Sequence, residues 1–147
     1  MRTTLLAAIV LLTALAGLFG CSKHEQFTLE GTAWQLVSIQ SMDDAQGTTM
    51  VPDPGKFTVE FAKDGQAFFQ LDCNRGKGTW EARPGNSGDN GTLTFGPIAT
   101  TMMMCPQPSL DQRVGQALGD VRTYVLKDNQ LHLSKVADGG ILSWKRA

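Results

Sequence analysis

From Leu29 onward, turn-forming residues break this chain at intervals too short for long helices, and that spacing constrains the fold more than any other feature. Between the breaks the residues alternate. Ala33 to Ile39 puts Trp34 and Leu36 on one face, and Phe57, Val59 and Phe61 occupy alternate positions before Lys63-Asp64-Gly65-Gln66 turns the chain into Ala67 to Leu71. Asp-Gly between two such runs signals a hairpin, because the turn needs positive φ. Asn74-Arg75-Gly76-Lys77-Gly78 reads as a second turn, leading into Thr79 to Ala82. Asp43 to Gly55 and Pro84 to Gly91 read as loops, and Thr92 to Phe95 and Ile98 to Met104 as strands. Thr123 to Lys127, Gln130 to Lys135 and Ile141 to Lys145, parted by Asp128-Asn129 and Asp138-Gly139-Gly140, form a closing meander.

One segment has helical period instead. Leu110, Val114, Ala117, Leu118 and Val121 fall on one face, and Ser109 with Gln112 has the spacing of a capping box. Gly115 and Gly119 weaken this helix by up to ~1 kcal/mol each relative to Ala. Many short strands without strand–helix alternation predict an antiparallel sheet. The expected fold is therefore mainly β: one antiparallel, strongly curled or barrel-like sheet with a single amphipathic helix near residues 110–121. Such a sheet buries Trp34, Trp80 and Trp144 without long exposed edges. At 147 residues the chain is one domain's length, with little room for a two-domain cleft.

The N-terminus carries an address. Arg2 precedes Leu5 to Phe19, an apolar run without a charge that is too short to span a membrane as a helix. The run ends Leu18-Phe19-Gly20-Cys21, followed by the polar Ser22-Lys23-His24-Glu25-Gln26. This resembles the lipobox of bacterial lipoproteins, where a small residue precedes the Cys that is acylated and becomes the N-terminus. Phe19 stands where the pattern prefers a small residue. The resemblance implies a signal peptide over 1–20, a tether over 21–28, a domain over 29–147, and a membrane anchor through lipidated Cys21. Ser22 rather than Asp after the Cys favours the outer membrane, with the domain facing the periplasm. The alternative is cleavage after Ala14-Leu15-Ala16, which leaves Cys21 a free thiol on a soluble periplasmic or secreted protein.

Setting Cys21 aside leaves Cys73 and Cys105, an even pair in an oxidising compartment. They form either a disulfide or two buried thiols. The compartment favours the bridge, which requires Cα atoms within ~7 Å.

Hydrolytic chemistry finds few candidates. His24 lies in the tether, and His132 sits between Leu131 and Leu133, an alternation that points it to solvent. Carboxylates fall singly in turns, as at Asp43, Asp64, Asp89 and Asp128. No catalytic residue, cofactor or metal site is expected. Thirteen Lys+Arg against 14 Asp+Glu leave a net charge of -1 and no basic stripe for nucleic acid. Met102-Met103-Met104-Cys105 could suit Cu(I), but on a strand consecutive side chains face opposite ways. The methionines are therefore expected to fill core space.

Three segments together resemble the META domain, also called the HslJ-like domain, of bacterial envelope lipoproteins. They are Leu29-Glu30-Gly31-Thr32-Ala33-Trp34-Gln35-Leu36, Cys73-Asn74-Arg75-Gly76-Lys77-Gly78-Thr79-Trp80, and Leu93-Thr94-Phe95 through Ala99-Thr100-Thr101-Met102-Met103-Met104-Cys105. Asp72 replaces the usual Gly before the motif Cys. The resemblance implies an antiparallel β domain with one helix, Cys73 and Cys105 as motif cysteines, and an association with envelope stress or antibiotic tolerance. Asn74, Thr100, Thr101 and Met103 are motif residues without an assigned role. The function expected on these grounds is that of a non-enzymatic outer-membrane lipoprotein, monomeric, that binds an envelope partner or an apolar ligand. A small protease inhibitor presenting Pro52-Asp53-Pro54-Gly55 or the Pro84 to Gly91 loop is the alternative, and Cu(I) binding the third reading.

Overall fold

Alternating burial along consecutive antiparallel strands builds the molecule. The computed structural model describes residues 27–43 and 45–147; the signal segment, Cys21 and the tether through Gln26 lie outside the described residues. In chain order the elements are β1 (Thr32–Gln40), β2 (Thr48–Met50), β3 (Phe57–Phe61), β4 (Gln66–Leu71), β5 (Asn74–Pro84), β6 (Asn90–Phe95), β7 (Ala99–Thr100), α1 (Asp111–Gly119), β8 (Val121–Lys127), β9 (Gln130–Lys135) and β10 (Ile141–Arg146). Eight strands pair antiparallel in the order β1, β3, β4, β5, β6, β8, β9, β10, and β10 returns to β1 to close a barrel. The seam is registered Trp34 to Arg146 and Leu36 to Trp144. Closure removes the free edges that an open sheet exposes.

The interior is filled. Trp34, Leu36, Val59, Phe61, Leu131, Leu133, Leu142 and Trp144 are wholly buried. The Phe61 ring meets Trp80 edge-on at 5.2 Å and stacks on Phe95 at 5.9 Å. Trp80 is only half-buried, and its indole N–H donates to the Ala62 carbonyl. Val114, Ala117 and Leu118 bury the apolar stripe of α1, which packs against β4 and β6. Among the described residues these side chains occupy the interior, as in small barrels filled by their own side chains. At the chain's entry Phe27 packs on the core, with the Arg146 guanidinium 5.7 Å from its ring and 4.6 Å from that of Trp34. Phe27 and Thr28, read from sequence as tether, thus already touch the domain.

The hairpin turns follow the sequence. Asp64 and Gly65 have φ of 60° and 69°, and Asp128 and Asn129 have φ of 51° and 59°. Other expectations are corrected. Asn74 to Gly78 is not a turn: the chain reverses at Asp72-Cys73, with Asp72 at φ 55°, and the glycines lie inside the 11-residue β5. A Cβ on Gly76 would sit 3.2 Å from methyl groups of Ile98 and Thr100, and one on Gly78 3.1 Å from the Pro97 carbonyl. The glycines let the Pro97–Thr100 segment lie directly on the strand. Ile98 to Met104 is strand only at Ala99–Thr100, and Thr101 to Leu110 is irregular. The Asp43 to Gly55 loop contains β2 and a single 3-10 turn at Pro54–Lys56. The helix spans Asp111–Gly119 rather than reaching Val121, which is buried as the first residue of β8. The Ser109–Gln112 capping box does not form. Ser109 Oγ instead accepts from the Asp111 N–H at 3.2 Å and donates to Asp72 Oδ2 at 2.7 Å.

Candidate functional site

Sharp reversal at Asp72-Cys73 leaves Asn74 buried at the start of β5, facing the irregular Thr101 to Leu110 segment. A disulfide joins Cys73 to Cys105, with Cα atoms 5.5 Å apart and a sequence separation of 32. The Asn74 amide supplies the second tie. Its Oδ1 accepts from the Met103 N–H at 2.7 Å and the Thr101 hydroxyl at 2.9 Å. Its Nδ2 donates to the Met103 carbonyl at 3.0 Å and to Asp111 Oδ2 at 3.2 Å, with Cys105 Sγ at 3.4 Å. A side-chain amide carries the donor and acceptor of a peptide group, so Asn74 stands in for the strand that the loop lacks. Next to it, the Thr101 N–H donates to the Arg75 carbonyl and the Arg75 N–H to Thr101 Oγ1.

These bonds fix the main chain at 101 and 103 and leave the side chains outside. Met102, Met103 and Met104 are 89%, 62% and 95% exposed. The expectation that they fill the core is overturned, because a segment tied through its main chain has no strand pleat to turn alternate side chains inward. The same geometry removes the argument that strand alternation separates Met102 and Met104 from Met103 and Cys105. Cys105 is nonetheless unavailable as a soft ligand, since its sulfur is buried in the disulfide.

Beside the loop runs an open groove of about 490 Å³. Leu71 and Ile98 contribute apolar surface, Thr100 to Met104 form one side, and Asp111, Gln112, Gly115 and Gln116 of α1 the other. Gly115 of α1 faces the barrel at Leu71: a Cβ there would lie 3.6 Å from Leu71 Cδ1, an ordinary van der Waals contact. The edge of β7 is also open. Because the Thr101 N–H points to β5, strand alternation turns the Thr100 N–H and C=O away from it. A second, smaller cleft of about 320 Å³ lies between Phe27–Leu29 and Trp80, Ala82 and Tyr124.

The motif residues Asn74, Thr100, Thr101 and Met103 and the Cys73–Cys105 pair thus come together at one site. Sequence reasoning missed Asp72, Ser109 and Asp111. Asp72 bonds Ser109 and meets Lys56 Nζ at 3.5 Å, so the carboxylates here are engaged in holding the loop and helix start. His132 does have a hydroxyl neighbour: its Nδ1 lies 3.0 Å from Ser143 Oγ across β9 and β10. Among the described residues the ring donates to no carboxylate, the contact that orients the His in a Ser-His-acid arrangement. No group of three or more His, Cys, Asp or Glu converges among the described residues. Tyr124 has a phenol pKa raised above 10.0, by burial first and by the Asp89 charge second; its hydroxyl donates to the Gly88 carbonyl at 3.1 Å. The Pro84–Gly91 segment is the β5–β6 hairpin, closed by the Gly85 N–H on the Asn90 carbonyl.

The META domain family profile matches residues 27–147. Two solved structures share the fold. A protein from Burkholderia xenovorans, solved by NMR, is 21% identical over 81% of this chain and 83% of its own, with a TM-score of 0.64. A DUF4847 family protein from Bacteroides vulgatus, solved by crystallography, is 14% identical over 78% of this chain and 92% of its own, with a TM-score of 0.54. No curated protein matches the chain.

Proposed function

Because the chain belongs to the META domain family, we propose that it is a non-enzymatic, monomeric lipoprotein of the outer membrane, anchored through acylated Cys21, that binds an extended apolar segment of an envelope protein along the Thr100–Met104 loop. The exposure of Met102 and Met104 on a loop held by a disulfide and a buried amide carries this reading. Exposed apolar side chains forgo burial that would otherwise favour the fold, so a loop built to keep them outside serves a surface role. An apolar ligand inside the barrel is disfavoured, since Trp34, Trp144 and Phe61 occupy that space. An extended segment suits the groove better. The outward N–H and C=O of Thr100 offer it main-chain hydrogen bonds, and the methionines adapt their shape to its side chains. In this reading the protein supports tolerance of envelope stress or antibiotics by engaging that partner.

Photo-crosslinking of the membrane-anchored protein tests it. A crosslinking residue at Met104 should give one predominant protein adduct that the same residue at Val136 does not. Equal labelling at both positions, or hydrolase activity that persists through purification, overturns the reading. Mass spectrometry of the mature N-terminus tests the anchor separately: a peptide beginning at Gly17 with unmodified Cys21 makes the protein soluble.

A further inference from the structure

The barrel core contains no methionine among the described residues. Met42 and Met50 are 53% and 67% exposed, and the remaining three described methionines stand side by side on the clamped loop. Methionine ordinarily fills irregular core gaps; here its thioethers are kept at the surface. From this we propose that Met102 and Met104 are a site of reversible oxidation by two-electron oxidants such as hypochlorous acid. The inference goes beyond the binding role and does not depend on it.

Each oxidation adds one oxygen to sulfur. The thioether sulfur attacks the chlorine of hypochlorous acid and hydroxide leaves; water then forms the S–O bond as the S–Cl bond breaks, giving the sulfoxide, chloride and one net proton released to water. Sulfur loses two electrons and chlorine gains them. Three features suit the loop to this chemistry. The sulfurs of Met102 and Met104 belong to the two most exposed of the described methionines, so the oxidant reaches them without unfolding. The neighbouring thiols are already joined, and Cys105 is buried. The Thr100 hydroxyl lies 3.9 Å from Met102 Sδ and is a donor in place for the sulfoxide oxygen. Because the loop is held through Asn74 and the disulfide rather than through its methionine side chains, oxidation changes the groove's rim from apolar to polar and leaves the fold intact.

Limited hypochlorous acid on the full-length, disulfide-intact protein provides the test, read by peptide mass spectrometry and thermal unfolding. The expected result is one added oxygen at Met104 and Met102 ahead of Met50 and Met42. The unfolding temperature should move by less than ~2 °C, and methionine sulfoxide reductases supplied with a dithiol reductant should remove the oxygen from the folded protein as water, the dithiol ending as a disulfide. Oxidation at Met42 or Met50 first, a large drop in unfolding temperature on oxidation of Met102 and Met104, or sulfoxides that are reduced only after unfolding would each overturn the proposal.

Discussion

Two irregular segments of this barrel are held in different ways. The Gly85–Asp89 loop is a turn between neighbouring strands, closed by Gly88 N–H on Gly85 and Gly85 N–H on Asn90, and β8 beside it adds the Leu126 N–H on the Asp89 carbonyl and the Tyr124 hydroxyl on that of Gly88. It shows Asn86 and Ser87 to solvent. The Thr101–Leu110 segment shows three methionines to solvent and is tied by partners about thirty residues away, a disulfide and a buried amide. A polar loop needs only turn chemistry to stay out of the core. An apolar one must be anchored against its own tendency to bury, worth about 1.5–3 kcal/mol for each large side chain. Local rules are broken at one of these segments and obeyed at the other, which is the pattern expected where function competes with stability.

Cutting the covalent tie has the largest effect. Reducing the bridge, or Cys73→Ala with Cys105→Ala, should lower stability by about 3–4 kcal/mol for a loop of this length. The unfolding temperature should fall by roughly 10–15 °C, with amide exchange rising in the methionine loop before the Gly85–Asp89 hairpin. Equal loosening of both would show that the bridge stabilises the barrel generally and not one loop.

Asn74→Ala comes next. It removes the partners of the Met103 N–H and C=O and of the Asp111 carboxylate, with an expected cost of about 2–3 kcal/mol in denaturant unfolding. A cost below that of an ordinary surface substitution would mean that the disulfide alone holds the loop.

On the other side of the comparison, Tyr124→Phe should cost about 1 kcal/mol for its single hydrogen bond to Gly88. This site also predicts an alkaline limb. Burial and the Asp89 charge raise the folded-state pKa above the unfolded 10.0, so the folded chain holds the proton longer. Its contribution is full below 10.0 and is lost as pH rises through the folded-state value. Thermal scans at rising pH should show the wild type losing stability there and the Phe variant losing less.

How much of this was legible depends on where each residue's partners lie. Strand alternation and Asp-Gly or Asp-Asn turns are local, so the Phe57–Phe61 and Gln130–Lys135 strands and their turns could be read directly. Arg75 to Gly78 misleads because its glycines answer to Ile98 and Thr100, which cross them from a distant part of the chain. The disulfide was legible through the even pair left once Cys21 is set aside and the compartment expected from the N-terminal segment, and Asn74, Thr101 and Met103 through their motif. Ser109 and Asp111 were not, since their partners Asp72 and Asn74 lie 37 residues away. The three methionines were misread for the same reason: their exposure is set by Asn74 and Cys73, not by their own neighbours.

The smallest stability effect sharpens the comparison most. Met102→Ser with Met104→Ser removes two side chains that are almost fully exposed, so denaturant unfolding should change by no more than ~0.5 kcal/mol per site. The crosslink from this loop, read from a probe at Met103 in the anchored protein, should nevertheless fall ~10-fold or more, the factor that losing one buried large apolar side chain carries in a complex. Met102→Leu with Met104→Leu keeps the apolar surface and should retain most of the crosslink. Asn86→Ala on the hairpin loop should alter neither quantity. If the Ser variants keep the adduct, the methionines do not form the contact; if they unfold the domain, the loop is part of the core after all. A loss of partner without a loss of stability separates the two segments, because only a residue held out for another molecule is dispensable to its own fold and costly to its complex.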